Sequence, residues 1–191
     1  EKAGANRIEL CKDLHLDGLT PDYETAKRTI DTLDIPVFIL IRPREGDFIY
    51  SDEEFELMKQ DIVKFKEMGC KGIVSGILNS DKSIDIKRTK ELVELSRPLE
   101  FTFHRAFDII INPLKEIEKL IEIGVDRVLT SGQKNKAIEG LDLLLELKNI
   151  SKNRIIIMPG GGIKKNNINL VLFFKEIHGT FFNKLKDKIE I

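Results

Sequence analysis

The sequence predicts a TIM-type (β/α)8 barrel, and three observations predict it. Short apolar, β-branched runs alternate with longer helical patterns along the 191 residues. One helix-to-strand turn recurs at three places. Nearly every apolar run also turns polar or glycine-rich at its carboxyl end, where an α/β protein presents its chemistry.

The strands are expected at residues 7–11, 37–41, 72–76, 100–104, 127–130, 154–158 and 176–178. Helical patterns fall between them at 23–33, 52–68, 86–96, 113–123, 136–149 and 166–174. The second helix opens on Ser51-Asp52-Glu53-Glu54, an N-cap followed by an acidic first turn. Its Phe55, Met58, Ile62, Phe65 and Met68 recur at three- and four-residue spacing, so it buries one face. Asn112-Pro113 supplies another cap, with proline at the first helical position.

The repeat reads Lys2-Ala3-Gly4-Ala5-Asn6-Arg7-Ile8, then Glu67-Met68-Gly69-Cys70-Lys71-Gly72-Ile73, then Ile123-Gly124-Val125-Asp126-Arg127-Val128. In each, glycine stands where a helix ends in a left-handed residue and a buried strand follows. The chain therefore reads as beginning at the end of a helix whose preceding strand is absent. Seven strands joined β-α-β imply a parallel sheet, and that preceding strand would be the eighth. The barrel is read as incomplete, short of its first strand and of part of its C-terminal end. A doubly wound sheet is the alternative architecture.

A chain of this length forms one core, so residues 1–191 are read as a single domain. Lysine and arginine total 31 against 32 aspartate and glutamate, for a net charge of −1. Nothing in that balance calls for nucleic acid or an anionic membrane as partner. No stretch approaches the roughly 20 apolar residues that cross a bilayer. Cys11 and Cys70 make neither a disulfide framework nor a C-x-x-C pair, which reads as a reducing, cytoplasmic compartment.

Candidate site residues lie at the strand ends. Phe101-Thr102-Phe103-His104-Arg105-Ala106-Phe107-Asp108 is the richest of these stretches. His104 can act as general acid or base, as neutral imidazole, or as a metal ligand, with Asp108 or Glu9 to orient it and Arg105 beside it. The other reading is a histidine satisfied by backbone partners. Arg42 and Arg44 suit a carboxylate or phosphate through their forked donors, or else pair structurally with Glu9 or Asp47. Gly160, Gly161 and Gly162 end the sixth strand, and Ser131 ends the fifth. A glycine run there either admits an anion to backbone N–H groups or makes a tight turn. Together these residues outline a pocket for a small anionic or phosphorylated molecule, in an enzyme or a barrel descended from one. His15 is expected to be exposed, and His178 to face the same pocket as His104. Cys11 is the better metal candidate because thiolates select monovalent copper. Alone, a cysteine is more often a small buried hydrophobe.

Several of these stretches carry a resemblance. Gly4-Ala5-Asn6-Arg7-Ile8-Glu9-Leu10-Cys11, Gly18-Leu19-Thr20-Pro21 and Ile41-Arg42-Pro43-Arg44-Glu45-Gly46-Asp47-Phe48 look like the CutC copper homeostasis family. So do Tyr50-Ser51-Asp52, the His104 stretch, Arg127-Val128-Leu129-Thr130-Ser131-Gly132 and Pro159-Gly160-Gly161-Gly162. The match runs in order from about residue 3 to 180. The resemblance implies a cytoplasmic TIM-like barrel, a homo-oligomer (dimer or larger), and copper tolerance or Cu(I) binding. It aligns Cys11 with the family cysteine proposed as a copper ligand. A second proposed cysteine lies on the family's first strand, which this sequence lacks. Glu45 replaces a glycine frequent in the family's Arg-Pro-Arg motif. Beyond Thr180 family chains continue with small residues, whereas 181–191 here is Lys-rich.

Overall fold

A computed structural model describes residues 4–179. Six strands follow the chain: β1 (Ile8–Leu10), β2 (Val37–Leu40), β3 (Gly72–Ser75), β4 (Glu100–Phe103), β5 (Arg127–Thr130) and β6 (Ile156–Pro159). Five helices connect them: α1 (Tyr23–Thr32), α2 (Asp52–Glu67), α3 (Ile86–Ser96), α4 (Pro113–Glu122) and α5 (Leu141–Ser151). All neighbours pair in parallel, and the spatial order β1-β2-β3-β4-β5-β6 equals the chain order. A doubly wound sheet would reverse direction at a switch point. Topology therefore selects the barrel, with six of its strands among the described residues.

Alternation along each strand sorts the side chains. Ile39, Ile73, Phe101, Phe103, Val128 and Ile157 face outward and join the helices in the main core. Phe38, Leu40 and Val74 form a separate cluster on the inner face, with Cys11 packed against it. Strands buried on both faces are what an all-parallel sheet requires.

The helices start where local chemistry predicts. Ser51 accepts from the Glu54 N–H while the Glu54 carboxylate accepts from the Ser51 N–H, a capping box that contributes about 1 kcal/mol. Gly69 and Gly124 end the second and fourth helices at φ of 93° and 81°, as the repeat predicts.

The floor of the barrel, at the strands' amino ends, is charged. Arg127, 2% exposed, donates to Glu176 at 2.9 Å and to Glu100 at 2.8 Å. Arg7, just before β1, donates to the same Glu176 at 2.6 Å and to the Met158 sulfur on β6 at 3.2 Å. The Arg7 and Arg127 guanidiniums lie 4.6 and 5.1 Å from the centre of the Phe38 ring. These contacts curl the sheet, bringing the start of the chain against its last described segment.

Three expectations are corrected. Residues 176–178 form no seventh strand: one parallel bridge joins His178 to Gly160, and Gly161, at φ 106°, turns the chain out of extended backbone directly afterwards. Residues 166–174 make only a 3-10 turn, Ile168–Leu170. Val171 and Phe174 are buried, but Leu170, Leu172 and Phe173 are exposed, so no full helical face is covered to sustain an α-helix. The pattern expected at 136–149 begins as a 3-10 turn, Ala137–Gly140, before α5. There Gly140 is pressed so closely on the 131–132 backbone that a Cβ would lie 2.1 Å from the Ser131 carbonyl oxygen. The strand expected ahead of residue 1 and the Lys-rich tail at 181–191 lie outside the described residues.

Candidate functional site

The carboxyl ends of the strands form one mouth with three sectors. The first belongs to β2, β3 and β4. Arg42 follows Leu40 on the inner face and is 5% exposed. Its Nη1 donates to the carbonyls of Leu16 (2.7 Å) and Gly18 (2.9 Å), and Nη2 to Gly46 (3.3 Å). Among the described residues it has no carboxylate partner, and its buried Nε has no partner at all. His104 follows Thr102 on the same face and is also 5% exposed. Its Nδ1 accepts from the Ala106 N–H at 3.2 Å, which places the ring proton on Nε2. That Nε2 is buried without a partner.

Phe48 holds the two together, its ring centre 5.2 Å from the Arg42 guanidinium and 4.8 Å from the His104 ring. Gly76 makes room: a Cβ there would lie 2.7 Å from His104 Nδ1. Burial, reinforced by the Arg42 charge, pushes the His104 pKa down to about 3, so the imidazole is neutral at pH 7. Neither Asp108 nor Glu9 hydrogen-bonds it.

The second sector, on β4, β5 and β6, is satisfied internally. Asp108 accepts from Arg105 Nε (2.8 Å), the Thr130 hydroxyl (2.5 Å) and the backbone N–H of Ser131 (2.9 Å) and Gln133 (3.2 Å). The Ser131 hydroxyl accepts from Arg105 Nη2 at 3.1 Å. Gly161 passes within 3.5 Å of the Arg105 guanidinium carbon, measured from where a Cβ would stand, and its carbonyl accepts from Ala137 N–H. Gly162 lies against the Lys136 side chain, and Gly160 against Leu129. Close packing accounts for Gly160, and left-handed backbone, at φ of 106° and 66°, for Gly161 and Gly162.

The third sector, on β1, holds Cys11 and Glu9. Cys11 is half-buried, its sulfur 3.1 Å from where a Gly18 Cβ would stand. Burial, then the Glu9 charge, pushes its thiol pKa up. Glu9 stands 3.7 Å from His178 Nδ1; burial raises its carboxyl pKa against the pull of His178 and Arg7. A Cβ on Gly160 would lie 3.3 Å from the His178 Cβ, which joins this sector to the β6 end.

Two residues fall elsewhere. Arg44 turns outward, donating from Nε to Glu54 (2.6 Å) and from Nη2 to Asp47 (3.0 Å) and the Ile49 carbonyl (2.6 Å). It clasps the loop to the start of α2, and those hydrogen bonds raise its pKa. His15 is exposed, as expected. Phe48 is the residue that strand-end reasoning missed, because it lies six residues past Arg42 in a loop. An aromatic shortly after a buried-cation candidate is the signal that would have found it.

A family model described as the CutC family matches residues 1–183. The chain belongs to the CutC family. It is 47% identical over 172 residues to the mouse copper homeostasis protein cutC homolog, covering 90% of this chain and 63% of that one. The crystal structure of a CutC protein of Streptococcus agalactiae, assigned to copper homeostasis by its name, superposes with a TM-score of 0.89. Its sequence is 35% identical, and the match covers 94% of this chain and 90% of that one. An aldolase, QR15, shares the fold at a TM-score of 0.64 and 19% identity, covering 82% of this chain and 73% of that one. Among the described residues no helix is long and apolar enough to cross a membrane.

Proposed function

We propose that this chain serves copper homeostasis by holding Cu(I) as cargo at the barrel mouth, with the Cys11 thiolate as anchoring ligand. One observation carries the reading: the only half-exposed thiol among the described residues stands on the face where a barrel binds its ligands. The name of the mouse relative supports the same role. Cu(I) favours soft sulfur donors, and Cys11 fits as one of them. Among the described residues no three His, Cys, Asp or Glu side chains gather closely enough to hold a metal ion. The second soft ligand in this proposal lies outside those residues.

Two further expectations belong to this proposal. Cys11 and Cys70 are both free thiols, which suits a reducing compartment such as the cytoplasm. Exposed Ile111, Leu172 and Phe173 offer apolar surface for a homo-oligomer.

Binding displaces the thiol proton, and that proton is held more tightly than usual, so affinity should rise with pH. The test is a Cu(I) titration of the full-length protein under reducing conditions against a chromogenic Cu(I) chelator. Tight uptake that disappears in Cys11→Ser is the expected result. Equal affinity in the variant and the wild type would overturn the reading.

A further inference from the structure

We propose that Arg42 and His104 form a binding site for a small organic carboxylate, whose oxygens accept hydrogen bonds from Arg42 Nε–H and His104 Nε2–H. Three observations carry it. Arg42 is a buried guanidinium whose described partners are all neutral carbonyls, so its charge is uncompensated. A buried charge without a counter-ion is costly, and an anion is the partner that removes the cost. Arg42 Nε and His104 Nε2 are both N–H donors, both enclosed, and both without an acceptor among the described residues. Enclosed donors are paired in nearly all native structures, so two beside one aromatic ring point to a missing acceptor. Phe48 brings the two groups together on that ring.

The donor set selects the ligand class. A phosphate dianion exposes three acceptor oxygens and is normally met by a full arginine fork or a run of backbone N–H groups. Here three of the four Nη hydrogens of Arg42 are directed to backbone carbonyls, leaving its Nε edge and one imidazole N–H, a small donor set that suits a carboxylate. The neutral imidazole is suited to donating its one N–H. The site is independent of Cys11, so this inference stands or falls apart from the copper reading.

The experiment is NMR of the full chain with labelled histidine, titrated separately with pyruvate, malonate, inorganic phosphate and chloride. Pyruvate or malonate should move the His104 Nε2 resonance saturably and raise the melting temperature. His104→Phe, which keeps a ring over Gly76 and against Phe48, should weaken that binding about tenfold or more, as should Arg42→Lys. A His104 resonance unmoved by either carboxylate would overturn the proposal even if neither variant folds. So would saturation by phosphate in preference to the carboxylates, or equal carboxylate affinity in the folded His104→Phe protein.

Discussion

The floor and the mouth of this barrel each bury an arginine beside a phenylalanine, and they treat it in opposite ways. At the floor Arg127 meets Glu100 and Glu176, Arg7 shares Glu176, and Phe38 lies against both guanidiniums. At the mouth Arg42 meets three carbonyls and Phe48, and both its Nε and the neighbouring His104 Nε2 lack partners. The floor's charges are compensated and contribute to the fold. The mouth's charge meets no carboxylate among the described residues. That division matches barrel enzymes generally, whose amino face carries stability and whose carboxyl face carries chemistry.

The largest test of the contrast is a pair of arginine replacements. Arg127→Met takes the buried partner from Glu100 and leaves Glu176 with Arg7 alone, and should destabilise by about 3 kcal/mol. Arg42→Met strands no carboxylate and should cost clearly less, although three carbonyls lose their donor. Urea unfolding of both variants reads the difference. Adding Glu176→Gln should deepen the Arg127→Met loss, because it takes from Arg7 its carboxylate partner. Equal costs at the two ends would remove the distinction between a compensated and an open arginine.

A smaller effect separates the ends by pH. His104 titrates from an ordinary value of 6.5 when unfolded but is held down to about 3 when folded. The unfolded state therefore binds the extra proton first. The stability this residue contributes is complete above pH 6.5 and is lost as the pH falls towards 3. Across that window the slope reaches about 1.4 kcal/mol per pH unit. His104→Gln should flatten the acid limb of the stability curve by that increment. Parallel curves for the two proteins would mean that the imidazole is not held neutral by its surroundings.

Much of the framework was legible in the sequence because it rests on local rules. The glycine turns at Gly69 and Gly124, the Ser51 cap and the apolar stripe of α2 are all short-range signals, and the structure keeps each of them. The inward position of His104 and Arg42 was also legible, since alternation along a strand carries it past the last ladder pair. What remained hidden depends on distant partners. Arg127 reads as an ordinary charged residue opening a strand, yet Glu176, 49 positions later, makes it a fully buried one. Asp108 reads as an orienter for His104 because they are neighbours in sequence. The 3-10 turn at Arg105–Ile109 instead carries Asp108 under the 130–133 loop, where Arg105, Thr130, Ser131 and Gln133 all donate to it. Residues 166–174 have helical spacing, but their covered positions are only Val171 and Phe174, and spacing cannot say how much of a face the fold will cover.

The smallest effect tests whether a missing partner by itself marks a binding group. Tyr50 is 5% exposed, its hydroxyl is enclosed without a partner, and burial pushes its pKa up to about 12. Unlike His104, its ring packs in the core between helices and sheet, and Arg44 lies 5.2 Å from the ring centre, outside the mouth. Removing that hydroxyl discards a desolvated group without stranding another. Tyr50→Phe should therefore leave stability unchanged or raise it by up to about 1 kcal/mol, with carboxylate binding at the mouth unaltered. Thermal melts with and without pyruvate measure both quantities. Weaker binding in Tyr50→Phe would extend the mouth site to the outer face of β2. A loss of stability without a binding change would mean that the hydroxyl already has an acceptor, and that an enclosed donor is no guide to a ligand in this fold.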